Sequence, residues 1–313
     1  MSFKPAVRTG EVNEVLVQWR IDNADAALAL ANTGPGDSEH RVLIRRVATG
    51  EITATEAVAI AVQRAGVGTD KPPLYIIREW DDYNIPGTTA LRNNFADSEH
   101  PYGVEDLEVF RKLELEISRI RIVELAINPI VGDLDYDHMK AIHRHIFGDI
   151  FQWAGQERIG PESSMVRFAP DAVNYAPGDS AAPMIPYRFY PGSQIAEAAS
   201  IQYASVAELL LRAPGMSRRE VIDRMSEHGG ELQTIHSFRD GHNRTLFVWA
   251  LQLFEAAGYP ADPAVFVMGA ALRESLMHAR HQNQATGRHD AYLRTLDAAL
   301  DGYEPQGSLV EAR

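Results

Sequence analysis

The stretch HSFRDGHNRT, residues 236–245, decides how this sequence is interpreted. It places a histidine, His236, ahead of an acid, Asp240, and then an arginine, Arg244. A largely apolar run without Pro or Gly continues from residue 246 to 257 and predicts a helix. The backbone N–H groups and the dipole at a helix N-terminus form a ready anion site. The stretch therefore predicts a general base, a metal-binding carboxylate and a phosphate-binding loop in one place.

Each of these side chains has a plainer interpretation when it is taken alone. His236 follows a helical pattern, so it could simply bind carbonyls at a helix end, and Asp240 could be a turn or cap residue. Arg244 could be a solvated helix residue. Their spacing favours chemistry, because histidine titrates near neutrality, Mg²⁺ prefers a carboxylate beside phosphate oxygens, and a guanidinium fits phosphate.

The composition indicates a globular protein. The chain has 313 residues, of which 45% are hydrophobic, and a net charge of −13, which argues against direct nucleic-acid binding. It contains no cysteine, so disulfides and thiolate zinc sites are excluded. No apolar run approaches about 18 residues, so no membrane span is expected. The N-terminal residues do not resemble a secretory signal, which predicts a cytoplasmic location, while secretion as an effector stays open.

Helical periods dominate the chain and predict an all-α fold. Three helices are expected at about residues 11–32, 38–49 and 53–65, the last with Thr53 as N-cap and Glu56 completing a capping box. The Gly- and Pro-rich residues 66–73 read as a linker, so the predicted domains are residues 1–70 and 71–313.

The second predicted domain starts with a helix at about residues 105–127, in which Arg111, Glu114 and Arg121 are expected to face water. Further helices are expected at about residues 135–147, 195–212, 218–235, 243–257, 264–282 and 290–300. Between residues 156 and 192 no helical period holds, and a long irregular region of this kind is often functional.

The central motif resembles the signature of the Fic family, H-P-F-x-D/E-G-N-G-R-x-x-R. Residues 142–155 and 83–93 also resemble family segments in register, and the resemblance covers roughly residues 80–300. It implies a helical bundle with a small β-hairpin flap. It also implies an enzyme that moves a nucleotide monophosphate, usually AMP, from a nucleoside triphosphate to a hydroxyl of a target protein.

The resemblance assigns a role to each residue of the motif. His236 is expected to deprotonate the target hydroxyl, and Asp240 to hold Mg²⁺ on the phosphates of ATP or another nucleoside triphosphate. The phosphate-binding residues implied are Gly241, His242, Asn243 and Arg244.

The family's flap docks the target protein as an added strand, and the sequence does not identify that target. The residues in the flap position are Ser164, Met165, Val166, Arg167 and Phe168.

Three residues depart from the family motif. His242 stands at the family's Asn, and Asn243 at the following Gly, where its tolerance of left-handed backbone would keep the loop shape. Phe247 stands at the second Arg, which helps to position the γ-phosphate in the family. Two alternatives therefore stay open, a catalytically impaired pseudo-enzyme that acts by binding, and a Fic enzyme that uses a different phosphate donor.

The N-terminal region has a second resemblance, to the VbhA-like antitoxins that silence Fic enzymes, carried by residues 47–57. It implies an inhibitory helix at residues 15–23, with Gln18, Asp22 and Asn23 at the inhibitory positions beside the anion loop. A rival register, residues 29–34, keeps no acid. A plain amphipathic helix that docks on the domain is the remaining interpretation.

Overall fold

A computed structural model describes residues 13–300 and confirms an all-α bundle with one small β-hairpin. The α-helices in this part of the chain are α1 Glu14–Ala29, α2 Ser38–Thr49, α3 Ala54–Ala65, α4 Leu107–Ile127, α5 Tyr136–Phe147, α6 Ile195–Arg212, α7 Arg218–Ile235, α8 His242–Ala256, α9 Ala271–Thr286 and α10 Asp290–Ala299. The strands are β1 Val166–Pro170 and β2 Met184–Arg188. Within residues 13–300, no helix is both long and apolar enough to cross a membrane.

Capping residues mark the ends of the three N-terminal helices. Thr53 and Glu56 form the predicted capping box at the start of α3. Helices α2 and α3 end at Gly50 and Gly66, both left-handed, a conformation that glycine adopts without steric cost. Helix α1 ends at Ala29 rather than near residue 32, and its predicted first residues, 11 and 12, lie outside the described part.

These helices pack directly on α4, and one hydrophobic core runs through both predicted domains. Ala24 and Leu28 of α1 and Ile117 and Ile120 of α4 are fully buried in it. The predicted helix at residues 105–127 thus packs into the core through its apolar face. The division near residue 70 stays a prediction, since the core is continuous across it.

Two buried arginines fix the C-terminal end of α1 to the rest of the molecule. Arg119 of α4 forms an ion pair with Asp25 at 3.2 Å and donates to the Gly34 carbonyl at 2.5 Å. Arg273 of α9 donates to the Ala29 carbonyl at 2.8 Å and also binds the Asn32 side chain. The end of α1 thus bridges α4 and α9.

The predicted helix at residues 264–282 is wrong in its boundaries. A short 3₁₀ turn, Pro263–Phe266, comes first, and α9 starts only at Ala271. Gly269 is left-handed, with φ of 88°, which interrupts the helical path between the two.

The hairpin is wider than the sequence indicated. Strand β1 falls in the predicted flap, but its antiparallel partner β2 lies in the region where no periodicity was found, beyond a connection of residues 171–183. The register pairs Phe168 with Pro186 and Arg167 with Tyr187. Phe168 is 63% exposed, whereas Tyr187 is buried. The Phe168 side of the hairpin therefore faces solvent, and the Arg167 side faces the domain.

Candidate active site

His236 lies at the point where α7 ends. It is the left-handed C-cap of that helix, with φ of 51°, and its side chain is 4% exposed. The rings of Phe189 and His242 each lie 4.4 Å from the imidazole, centroid to centroid, and Nδ1 has no hydrogen-bond partner. Burial lowers the pKa of His236 well below the ordinary histidine range. The imidazole is therefore neutral at physiological pH and has a lone pair that can accept a proton.

Arg158, which the sequence did not indicate, holds the backbone on both sides of the base. Its Nε donates to the His236 carbonyl at 2.8 Å, and its Nη2 donates to the Tyr190 carbonyl at 2.6 Å. Its own N–H binds the Ser237 carbonyl at 2.9 Å. Because every one of these partners is a backbone carbonyl, no residue pattern in the sequence could have revealed the contact.

The predicted anion loop is formed by Gly241 and the first turn of α8. Gly241 is left-handed, with φ of 74°, and it makes no side-chain cap to the helix. A β-carbon at this position would overlap the ring of Phe147, so only glycine fits. The first amides of a helix have no acceptor within it, which leaves those at the start of α8 for an anion.

The side chains of His242 and Asn243 turn into the protein interior rather than toward the loop. The His242 Nε2 lies 3.1 Å from the Leu232 carbonyl, and burial lowers the pKa of this histidine to about 3. The Asn243 Oδ1 accepts from Gln233 Nε2 at 2.9 Å. The expectation that Asn243 preserves the loop by adopting a left-handed conformation is wrong, because Asn243 is helical and Gly241 makes the turn. Only the backbone amides of these two residues are placed for a phosphate.

Arg244 is held by two acids of the protein itself. Its Nη1 lies 2.5 Å from Glu114 Oε1, and its Nη2 lies 3.1 Å from Asp240 Oδ1. The expectation that Glu114 faces water is therefore wrong, since it is 6% exposed and supplies the buried partner of Arg244. The predicted contact between Arg244 and a phosphate stays a prediction, and it would require the guanidinium to be shared with these carboxylates.

The backbone carbonyl of Asp240 accepts a hydrogen bond from the protein, while its side chain is partly exposed to solvent. The Nδ1 of His143 accepts from the Gly155 N–H at 2.8 Å, so the proton of this histidine is on Nε2, which donates to the Asp240 carbonyl at 3.0 Å. The Asp240 Oδ1 accepts from the Gly241 N–H at 2.5 Å, yet the side chain remains 41% exposed.

This carboxylate fits the predicted Mg²⁺. Magnesium is commonly held by one or two carboxylates together with substrate phosphates and water, and Asp240 keeps one oxygen without a protein partner. Within residues 13–300, no group of three or more His, Asp or Glu side chains is placed to hold a metal ion. The donor set therefore suits an ion that is completed by the nucleotide.

Phe247 occupies the predicted γ-phosphate region. It is buried against Phe266, with ring centroids 5.8 Å apart. It lines a cavity of about 70 Å³ together with Asn243 and Leu30. Leu30 belongs to the turn after α1, so the N-terminal region does reach this part of the site.

The predicted inhibitory positions make hydrogen bonds within α1. Gln18 donates to Asp22 at 2.8 Å, and Asn23 donates to the Trp19 carbonyl of its own helix at 2.7 Å. Trp19 and Asn23 line a separate cavity with the C-terminal half of α8, including Gln252. The register at residues 15–23 therefore stays a prediction, and in the rival register at residues 29–34 Leu30 lines the cavity beside Phe247.

Comparison with known proteins identifies the family. Residues 133–254 match the model of the Fic/DOC family. The probable protein adenylyltransferase y4lH of Sinorhizobium fredii is 31% identical over 184 residues, which cover 58% of this chain and 79% of that protein. The chain belongs to the Fic/DOC family. The resemblance of the central motif to Fic proteins is thus confirmed.

Other Fic proteins are similar over comparable spans. The protein adenylyltransferase VbhT of Bartonella schoenbuchensis is 33% identical over 184 residues, and this chain spans about a third (32%) of its length. The N-terminal Fic domain of a Bartonella effector protein, from Bartonella sp. AR 15-3, superposes with a TM-score of 0.52 at 22% identity, covering 73% of this chain and 93% of that one. A Fic domain of Bartonella quintana with bound ADP gives 0.53 at 20% identity, covering 71% and 95%. These structures show the shared fold.

The buried pair of Glu114 and Arg244 should be essential for stability. Glu114→Gln removes the carboxylate partner of a buried guanidinium, and breaking a buried ion pair from one side typically costs about 3–5 kcal/mol. Because burial raises the pKa of Glu114 to about 7, the comparison is made above pH 7, where the carboxylate is ionised. We expect urea denaturation to show a loss in that range for the free energy of unfolding.

The matched control is Glu227→Gln, which breaks the exposed pair with Arg224. It should change the free energy of unfolding by less than about 1 kcal/mol. Equal stability of Glu114→Gln and the wild type would show that the pair does not hold the loop.

Proposed function

We propose that this chain is a Fic enzyme that transfers a nucleotide monophosphate from a nucleoside triphosphate to a hydroxyl of a target protein. The observation that carries the proposal is the neutral, buried imidazole of His236 at the end of α7, immediately before the open N-terminus of α8. The names of the relatives support AMP as the group transferred, since y4lH and VbhT are both adenylyltransferases by name.

In this mechanism the hydroxyl oxygen of the target attacks the α-phosphorus, and its proton passes to His236. The bond from the α-phosphorus to the bridging oxygen breaks, and pyrophosphate leaves with that electron pair. The buried imidazole is a weak base alone, but the negative charge of a bound nucleotide raises the pKa of a nearby histidine. Substrate binding would therefore strengthen the base at the moment when it is needed.

The loop amides after Gly241 would offset the negative charge that builds up on the phosphate oxygens. Asp240 would hold Mg²⁺, which, when bound, neutralises phosphate charge. His143 and Arg158 would keep the backbone of the loop and of the base in place.

The hairpin is proposed as the docking site for the target. Among residues 13–300, strand β1 pairs with β2 alone, so its other edge is the one at which an added strand would pair. Val166 and Phe168 project to solvent beside that edge. Ser164 and Met165 would extend the same edge, whereas the Arg167 side chain faces the domain.

A pseudo-enzyme that binds a nucleotide without transferring it is the second candidate. Phe247 favours it, because an apolar ring replaces the arginine that the family uses for the γ-phosphate. The internal pairing of Arg244 also favours it. A Fic enzyme with a different phosphate donor would explain the same two features.

Replacing the base separates these candidates. His236→Ala should abolish the transfer of label from α-labelled nucleoside triphosphates to lysate proteins, because it removes the proposed base. Nucleotide binding should persist.

The control is His100→Ala, which removes an exposed histidine paired with Asp97, and it should transfer at the wild-type rate. Persistence of label transfer in His236→Ala would contradict the mechanism. No transfer by the wild type with any donor would favour the pseudo-enzyme.

The proposed metal ligand has its own test. Asp240→Asn removes the charge that Mg²⁺ needs while keeping the size of the side chain, so the gain in nucleotide affinity on adding Mg²⁺ should disappear in calorimetry. The control Asp137→Asn changes an exposed aspartate that pairs with Lys140. An equal Mg²⁺ effect in Asp240→Asn and the control would argue against the assignment.

We also propose that the N-terminal region inhibits the enzyme through the turn after α1. Leu30 closes one side of the cavity beside Phe247, and Arg273 holds the chain there through the Ala29 carbonyl. Leu30→Ala should open this side of the cavity. We expect it to raise the nucleotide affinity or the transfer rate by about 5-fold or more, since coupling between two sites typically has this size.

Leu16→Ala is the matched control, since Leu16 is also buried on α1 but does not line the cavity. Both variants should lose stability, and only Leu30→Ala should gain affinity or activity. Asp22→Ala should have little effect. Equal nucleotide affinity and transfer in Leu30→Ala and Leu16→Ala would leave α1 as a structural element.

A further inference from the structure

Arg280 of α9 is a buried cation without an acid partner. It is 5% exposed and, among the described residues 13–300, its Nε has no hydrogen-bond partner, and its Nη1 donates to the sulfur of Met277 at 3.2 Å. No ion pair involves it within residues 13–300. Burial lowers the pKa of Arg280 to about 10, so the guanidinium is still charged at physiological pH. Isolated buried charges are costly and are normally compensated.

The position of Arg280 connects it to the departures in the motif. It lines the cavity of about 70 Å³ that Asn243 and Phe247 also line. Phe247 stands where the family has its second arginine, and Arg280 brings a guanidinium to the cavity that Phe247 lines. A cavity of this volume has room for a group larger than one water molecule.

A second arginine approaches from the hairpin. Arg167 shares the domain-facing side with Tyr187, whose ring packs on His281, the neighbour of Arg280, at 4.7 Å between centroids. Arg167 is exposed and forms no ion pair in the part of the chain that the structure describes. Arg167 and Arg280 both lie close enough to lower the pKa of His236. The surroundings of the base therefore hold unbalanced positive charge.

We propose that Arg280 is a phosphate-binding residue of the nucleotide site, which replaces from α9 the guanidinium that Phe247 does not supply. This inference rests on the proposed function. The bound anion would be the β- or γ-phosphate of the nucleotide, beyond the α-phosphate at the loop. Arg167 would meet the same phosphates from the exposed side. A guanidinium binds phosphate with two parallel hydrogen bonds, which would satisfy the unpaired Nε of Arg280.

Calorimetry with three nucleotides tests the proposal on the full chain. The non-hydrolysable ATP analogue AMPPNP, ADP and AMP are titrated, each with Mg²⁺, into the wild type and Arg280→Met. We expect the affinity for AMPPNP to fall about 10- to 100-fold, as for the loss of hydrogen bonds to a charged group. The affinity for AMP should stay nearly unchanged. The control Arg288→Met alters an exposed arginine near the end of the same helix.

Thermal unfolding without ligand distinguishes a binding role from a structural one. Arg280→Met should be as stable as the wild type or more stable, because replacing an uncompensated buried charge by an apolar side chain removes its desolvation cost. A less stable variant that loses AMP and AMPPNP affinity equally would overturn the proposal, since Arg280 would then only support the fold.

Two further outcomes separate this inference from the proposed function. Equal AMPPNP affinity in Arg280→Met and the wild type would overturn the role of Arg280 while leaving the Fic activity standing. Binding of inorganic tripolyphosphate that depends on Arg280, in a wild type that binds no nucleotide, would support the phosphate site and overturn nucleotide transfer.

Discussion

The close approach between Gly241 and the ring of Phe147 determines the geometry of the site. A side chain at position 241 would collide with that ring, and the left-handed turn there starts α8. The start of α8 in turn sets the direction in which its first amides point. The base, the carboxylate and the phosphate-binding amides all lie within six residues of this turn. The packing of α5 against the start of α8 thus sets the direction of the amides that are proposed to bind phosphate.

Charge is distributed unequally around this turn. The arginine of the motif, Arg244, is neutralised by Glu114 and Asp240, whereas Arg280 and Arg167 have no acid partner among residues 13–300. The charge of Arg244 is therefore compensated within the protein, whereas, among the described residues, the charges of Arg280 and Arg167 are not. Such a site is suited to an anion that approaches from the side of α9 and the hairpin. Burial and, to a lesser extent, these charges lower the pKa of His236. The binding of a negatively charged nucleotide would then raise the pKa of His236 through electrostatic interactions alone.

The sequence predicted the parts of the structure that depend on local rules. Most of the helices and the capping box at Thr53 follow from periodicity and capping, whereas the left-handed turn was expected at Asn243 and lies at Gly241. The family resemblance supplied the fold and the roles in the motif. The sequence could not reveal that Glu114 is buried. Its position on α4 is typical of a solvent-facing residue, and its partner Arg244 lies 130 residues later in the chain. Arg158 was missed for the same reason, since its partners are backbone carbonyls far away in sequence.

The sequence leaves two registers open for the inhibitory helix, residues 15–23 and residues 29–34. In the structure Leu30 of the second register lines the cavity beside Phe247, whereas Gln18 and Asn23 form hydrogen bonds within their own helix. The spacing of residues within one helix does not show which end of that helix contacts the active site. The second strand of the hairpin was hidden because its five residues alternate too briefly for a periodic signal.

A crystal structure of the full chain with AMPPNP and Mg²⁺ would show whether the nucleotide binds at the start of α8. We expect the α-phosphate to bind the amides after Gly241 within reach of His236. We also expect the metal to contact Asp240 and Arg280 to form hydrogen bonds with the terminal phosphates. A nucleotide bound with its phosphates away from the N-terminus of α8, or with Arg280 still directed at Met277, would contradict these expectations.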